Sequence, residues 1–87
     1  MSRLEGAEFE ADQRRFAHGT QTVIVVSSVI KGSEAWRSGI RESDIIVRVN
    51  RQPIDSIDSF KTLFQDRDGT LLLEIMRNNE NRFIVLG

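Results

Sequence analysis

Residues 31–54 constrain the fold of this chain more than any other segment. Ser33 is a suitable N-cap for a short helical turn, and Gly39 suits the left-handed residue that ends such a turn. An apolar strand at residues 45–49 follows and stops at a turn formed by residues 50–53. A helical turn, a buried strand and a tight turn in this order are typical of a binding module rather than of an enzyme active site.

Length and composition predict one small globular domain. A chain of 87 residues buries only about 60–65% of the surface that its unfolded form exposes, so one modest core is expected. The apolar fraction of 39% and the near balance of 12 basic and 13 acidic residues exclude a disordered, collagen-like or membrane-spanning chain. A net charge of -1 disfavours nucleic acid and anionic membranes as partners. We therefore expect neither nucleic-acid binding nor direct insertion into a membrane.

Catalytic and metal-binding chemistry is not expected. The chain has no cysteine, which excludes thiol catalysis, disulfides and cysteine-ligated metals and is compatible with a reducing or an oxidising compartment. Its one histidine, His18, lies in a polar stretch, and no Gly-x-Ser-x-Gly setting for a nucleophile is present. The acidic stretch at residues 66–69 lacks the ligand spacing of a calcium loop, so it is interpreted as the turn that ends a helix. We predict no catalytic residue, no cofactor and no metal.

Apolar runs separated by turn signals predict a mainly β chain with two short helices. Strands are expected at residues 7–9, 23–29, 44–49, 70–76 and 82–86, with a long polar loop at residues 10–22. The last two strands form a hairpin through residues 78–81. The second helix begins near Ser56, an N-cap candidate, and carries one apolar stripe made of Ile57, Phe60, Leu63 and Phe64.

A set of short motifs in fixed order resembles a known family. The motifs are Leu4-Glu-Gly-Ala-Glu-Phe9, Val26-x-x-Val29, Gly32-Ser-x-Ala35, Gly39-Ile40, Ser43-Asp-Ile-Ile46 and Asn50-Arg-Gln-Pro-Ile54. Together they are similar to a PDZ domain of the bacterial HtrA serine protease family, most of all to the second, C-terminal PDZ domain of DegP and DegQ. The resemblance implies a single PDZ domain over residues 1–87. Its fold is α+β, a partly open antiparallel barrel or sandwich of five to six strands with two short helices.

The resemblance also implies a peptide site. PDZ domains hold an extended peptide beside an exposed sheet edge, clamped against a helix. The corresponding positions here are Leu4, Glu5, Gly6, Ala7 and Glu8 on the strand and Ser59 and Leu63 on the helix. The resemblance implies a strand from Leu4 to Phe9 at this site, with Leu4, Gly6 and Glu8 facing the ligand and Phe9 facing the core.

The family's carboxylate-binding loop, of the form apolar-Gly-apolar, falls on Ser2-Arg3-Leu4. Arg3 stands where the family has glycine, and a bulky residue hinders backbone amides from converging on an anion. Weak carboxylate capture is therefore expected. Residues 1–3 are either a shortened loop or not native to the protein.

Two further positions depart from the family. Trp36, the only tryptophan, replaces a small residue, and with Arg37 it forms a candidate interface. The alternative is that Trp36 packs against the neighbouring strand. Ser43 stands where the family usually has glycine, which implies an altered turn before Asp44.

The function implied by the resemblance is that of a non-catalytic module in a periplasmic serine endoprotease that degrades or holds unfolded envelope proteins. The charged residues near the start of the sequence do not fit the pattern of a signal peptide, so none is expected in this segment. The module is expected to serve mainly subunit assembly, through PDZ domains of the same oligomer, and secondarily to bind extended peptides or C-termini of unfolded proteins. Two alternatives stay open. One is a domain whose primary role is to recognise substrate C-termini, and the other is a PDZ domain of a secretion-system component or a site-two protease.

Overall fold

A computed structural model of the chain describes residues 4–65 and 69–86. The elements in chain order are β1 (Ala7–Phe16), β2 (Gly19–Val29), α1 (Glu34–Arg37), β3 (Ile45–Val49), β4 (Gln52–Pro53), α2 (Ile57–Gln65), β5 (Leu71–Arg77) and β6 (Glu80–Leu86). The strands form one antiparallel sheet in the order β1-β2-β3-β5-β6, with the short β4 paired to β3. The prediction of an open antiparallel α+β fold with two short helices is confirmed.

One face of this sheet carries the main core. Alternating side chains of β2 and β5 point to this face, as the period of two along a strand requires, and β3 contributes Ile46 and Val49 across an irregularity. Helix α2 covers them with Phe60, which is 1% exposed, and Ala35 of α1 closes one end. The core also contains Leu4, Ile24, Val26, Ile40, Ile46, Val49, Ile54, Leu71, Leu73, Ile75 and Leu86. The sheet is therefore anchored on one side by both helices.

The prediction of a long loop at residues 10–22 is wrong. Strands β1 and β2 pair continuously apart from one bulge, down to the pair Phe16 and Gly19 at a two-residue turn. The strand residues there are mostly exposed, so the sequence lacks the apolar alternation that predicts a strand. Polar pairs support this part of the hairpin, since the Gln13 side-chain amide donates to the Thr22 hydroxyl at 2.7 Å. A hydrogen bond from Arg14 lowers the pKa of Asp12 in the same strand.

The tip of this hairpin folds against the face of the sheet opposite the main core. The Gln21 side-chain amide donates to the Val47 carbonyl oxygen at 2.7 Å. Val23 and Val47 are buried although neither belongs to the main core cluster. The Phe16 ring stacks on His18 with centroids 5.6 Å apart, and both line a pocket of about 310 Å³ under the tip. The tip thus lies over the second face of the sheet, close to the buried Val47.

A buried carboxylate joins the turn after α1 to the far end of β5. Asp44 is 1% exposed and accepts two hydrogen bonds from the Arg77 guanidinium, at 2.7 and 2.6 Å. The backbone N–H of Arg41 donates to the same carboxylate at 2.9 Å, and Arg77 also donates to the Gly39 carbonyl oxygen. The hydrogen bonds to Asp44 raise the pKa of Arg77. Ser43, just before Asp44, adopts φ +73°, the conformation for which glycine is the usual choice.

Candidate functional site

Strand β1 forms one edge of the sheet and has helix α2 beside it. Within residues 4–65 and 69–86, β2 is the only strand that pairs with β1. The Phe9 ring of β1 meets the Phe60 ring of α2 edge to face, with centroids 5.1 Å apart. An edge strand presents backbone N–H and C=O groups that can pair with another extended chain. The combination of open edge and flanking helix can therefore accept an additional strand.

The chain enters this edge through a turn rather than a strand. The strand expected over residues 4–9 is confirmed only from Ala7 onward, because residues 4–6 form a turn in which the Ala7 N–H donates to the Leu4 carbonyl oxygen at 3.2 Å. The Leu4 side chain is buried in the main core. The Leu4 side chain therefore belongs to the core that supports the start of β1.

Gly6 fixes the position of this turn. Its carbonyl oxygen accepts from the Ile30 N–H at 2.8 Å, and the neighbouring Glu5 carbonyl accepts from the Ala35 N–H at 3.1 Å. Gly6 adopts φ +98°, and a Cβ atom added there would overlap the Cβ and Oγ atoms of Ser33. Ser33 is the N-cap of α1, as predicted, and accepts from the Trp36 N–H. The start of β1 is thus held against the first turn of α1.

The side chains of β1 alternate between the core and the outer face. Ala7 and Phe9 pack against the main core, which agrees with the predicted orientation of Phe9. Glu8 is exposed on the opposite face and accepts a hydrogen bond from the Ser28 hydroxyl of β2 at 3.0 Å. A bulge separates these residues, since Glu8 pairs with Ser28 whereas Phe9 pairs with Val26. A strand added to this edge would therefore have Glu8 beside it, on the face of the sheet that points away from α2.

Helix α2 presents the two predicted helix residues one turn apart. The Ser59 N–H donates to the Ser56 hydroxyl at 3.1 Å, which agrees with the predicted N-cap. Ser59 is exposed and Leu63 is half-buried against the core. Residues four apart lie on the same side of a helix, so these two side chains share one face. Ser2 and Arg3 of the predicted carboxylate-binding loop lie outside the described residues, whereas its third residue, Leu4, is buried in the main core.

Trp36 is covered by an arginine of its own chain. The Arg41 guanidinium carbon lies 3.5 Å from the centroid of the indole ring, and its Nη1 atom donates to the Trp36 carbonyl oxygen at 2.7 Å. A second bond from Nη1 to the Ile40 carbonyl, at 2.9 Å, fixes the guanidinium over the ring. Arg37 pairs instead with Glu34 at 3.1 Å. Sequence reasoning named Trp36 and Arg37 as an interface and did not identify this stacking across the turn.

Arg41→Ala should shift the fluorescence emission of Trp36 to longer wavelength, because removing the guanidinium exposes one face of a ring that is now half-buried. As Trp36 is the only tryptophan, its steady-state emission spectrum reports directly on this contact. Arg37→Ala is the matched control and should leave the spectrum unchanged. Equal shifts in the two variants would contradict the stacking.

Neither a metal site nor a membrane-spanning helix is found within residues 4–65 and 69–86. No three His, Asp or Glu side chains gather there in an arrangement that could hold a metal ion. The helices found between residues 4 and 65 are too short to span a membrane.

Comparisons with known proteins agree with this geometry. The sequence model of the family described as "PDZ domain" matches residues 25–77. The chain is 32% identical over 68 residues to the "Probable periplasmic serine endoprotease DegP-like" protein of Buchnera aphidicola subsp. Baizongia pistaciae, covering 78% of this chain and 15% of that protein. It is 28% identical over 86 residues to "Periplasmic serine endoprotease DegP" of Salmonella typhimurium, covering 99% of this chain and 17% of that protein.

Among solved structures, the chain is similar to the HtrA3 PDZ domain bound to a phage-derived ligand (FGRWV). The TM-score is 0.69 at 23% identity, and the match covers 94% of this chain and 88% of the other. This likeness shows the fold, and the sequence matches confirm the predicted resemblance to DegP-type proteases. The chain spans only 15–17% of the length of the two curated relatives above.

Proposed function

The chain belongs to the PDZ domain family, and we propose that it is a non-catalytic, peptide-binding module of an HtrA-type periplasmic serine endoprotease. The observation that carries this proposal is the open edge of β1 with α2 packed beside it. A peptide added along β1 extends the antiparallel or parallel hydrogen-bond ladder and is clamped by the helix. The HtrA3 domain, bound to a peptide of five residues, is a relative in fold that supports the ligand class.

Side chains on either side of the added strand provide the selectivity. Alternate residues of an extended peptide point to opposite faces. Those that point to α2 meet Ser59 and the half-buried Leu63, which favours apolar side chains at every second position. The intervening residues lie on the side of Glu8. The ligand class that fits is an extended, partly apolar segment, which unfolded proteins expose and folded proteins bury.

The position of Arg3 makes backbone pairing the main source of affinity. By resemblance alone, this arginine stands at a position where the family has a glycine that allows amides to converge on a terminal carboxylate. We therefore propose that the module holds internal segments nearly as well as C-termini. In the parent endoprotease it would keep unfolded envelope proteins close to a catalytic domain outside this chain. The periplasmic relatives support this role.

Peptide titration tests the proposal. Apolar peptides should bind the chain, and amidation of the C-terminus should change the dissociation constant by less than about threefold, since backbone pairing dominates. Leu63→Asp should weaken binding by about tenfold or more by placing a charge against the apolar side chains of the peptide. Lys61→Ser, on an exposed position of the same helix, is the control and should bind as the parent does.

Two outcomes would contradict this function. Absence of binding by either peptide form, with the fold intact by circular dichroism, would exclude peptide capture. Binding of the free-acid form alone would instead identify a reader of C-termini, the alternative that the sequence left open.

A second candidate function is subunit assembly through PDZ domains of the same oligomer. The observation that favours it lies on the other edge of the sheet, where Phe83 and Val85 of β6 are 55% and 64% exposed. Contiguous exposed apolar side chains are a feature of interaction surfaces, and these two lie on one face of an edge strand. This surface is distinct from the β1 edge and from Trp36.

A further inference from the structure

Strand β6 is a second open edge and lacks most of the features that usually protect one. Its pairing with β5 runs without a bulge from Leu86 to Glu80, and no other strand within residues 4–65 and 69–86 pairs with it. Natural edge strands are commonly protected by proline, charged side chains (above all lysine), bulges or a covering helix. β6 has seven residues with neither proline nor lysine, and its two charged residues, Glu80 and Arg82, lie within its first three positions. By contrast, β1 carries a bulge and is flanked by α2.

The exposed side chains of β6 form a small apolar strip on one face. Phe83 and Val85 are two residues apart and therefore point to the same side of the sheet. Across β5 they lie opposite Glu74 and Leu72. Exposing an apolar strip beside unpaired backbone groups is unfavourable unless a partner strand covers both.

We propose that β6 pairs antiparallel with β6 of a second copy of this chain, about a twofold axis at Ile84. In this register Phe83 lies opposite the partner's Val85, and Val85 lies opposite the partner's Phe83. Both exposed side chains are then covered by apolar neighbours at cross-strand distance. The half-buried Ile84 meets its own counterpart on the other face. The surface is self-complementary, which a twofold interface requires.

Charge and register favour this axis over its neighbours. In antiparallel pairing about a twofold axis, side chains that lie opposite each other point to the same face of the sheet only when the axis passes through a residue. An axis at Arg82 brings two guanidinium groups directly opposite, which is unfavourable. An axis at Phe83 places Val85 opposite the polar Asn81. With the axis at Ile84, the two Arg82 residues stand four positions apart, about 13 Å, beyond the screening length at physiological salt.

The size of the interface predicts a weak dimer. A ladder of five residues with two apolar pairs buries less than the roughly 1,200 Å² typical of stable interfaces. We expect a dissociation constant of about 0.1–1 mM for the isolated chain. Such a contact becomes effective when an oligomer holds several copies at millimolar local concentration. The inference rests on the assembly function proposed above and is independent of peptide capture.

Sedimentation equilibrium of the chain from about 10 μM to about 1 mM tests this pairing. The parent should show a concentration-dependent dimer, and Phe83→Glu or Val85→Glu should weaken it by about tenfold or more through charge repulsion across the axis. Ile30→Glu is the control, because Ile30 is 68% exposed and lies outside β6. A parent that stays monomeric throughout, or a dimer that both β6 variants leave intact, overturns the inference.

The register is tested separately by cysteine crosslinking, for which the cysteine-free chain is suited. A mixture of Phe83→Cys and Val85→Cys chains should form the mixed disulfide faster than either variant forms its own, because only the mixed pair is directly opposite. Equal rates for all three products overturn the register. Peptide titration of the same variants separates the two functions, since a dimer lost with peptide binding retained bears on assembly alone.

Discussion

Asp44→Asn is expected to lower the free energy of unfolding by about 3 kcal/mol, because it leaves the Arg77 guanidinium without its buried counter-charge. The amide oxygen can replace one carboxylate oxygen, but the NH₂ group then faces a donor, since the carboxylate now accepts two bonds from Arg77 and one from the Arg41 N–H. The contact joins residues 33 apart in sequence, so its loss also loosens the turn after α1 from β5. Urea denaturation measures the change.

Asp12→Asn is the matched control for this substitution. Asp12 forms an ion pair with Arg14 at 2.8 Å, similar in length to the Asp44 pair, but both side chains are largely exposed. Exposed pairs contribute little to stability, so the midpoint of unfolding should not move measurably. Similar losses in the two variants would show that burial of Asp44 is not the cause.

Gly6→Ala is expected to be the second severe substitution, with a loss of about 3 kcal/mol or more. The new methyl group would overlap Ser33, and the left-handed backbone at φ +98° is itself unfavourable for a residue with a side chain. Because Gly6 precedes β1, the displaced turn should also weaken peptide binding in whatever fraction stays folded. Thermal unfolding and peptide titration measure the two effects.

Gly32→Ala separates these two causes. Gly32 has a similar φ of +86°, but a Cβ atom there would meet nothing within 4 Å. The Gly32→Ala variant should lose only about 1 kcal/mol of stability, the cost of placing an alanine in left-handed backbone. If both alanine variants lose the same stability, the close approach of Gly6 to Ser33 has no energetic role.

The parts of the fold that follow from local signals were predictable. Ser33 caps α1 through its own side chain, and Gly39 has the positive φ expected at the end of the turn. Asn78 and Asn79 both adopt positive φ in the two-residue turn between β5 and β6. Each of these features depends on residues within a few positions of one another, so the sequence contains the whole cause.

The features missed depend on contacts between distant residues. The β1–β2 hairpin extends through a polar stretch because Gln21 is anchored on a carbonyl oxygen of β3, 26 residues away. Asp44 was predicted only as the start of a strand, although its partner Arg77 makes it the main buried ionic contact. Of the predicted site, Ser59 and Leu63 share one helix face as expected, whereas Leu4 lies in the core. No pattern of apolar residues indicates which distant polar groups will meet.

The order of strands bears on whether the two proposed occupants compete. β1 and β6 stand at opposite ends of the order β1-β2-β3-β5-β6, with three strands between them. A peptide paired with β1 and a second copy of the chain paired with β6 therefore pair with no common strand. Neither occupant excludes the other, so peptide affinity should not vary with protein concentration, and one continuous sheet could run from a captured segment through two domains to a second captured segment.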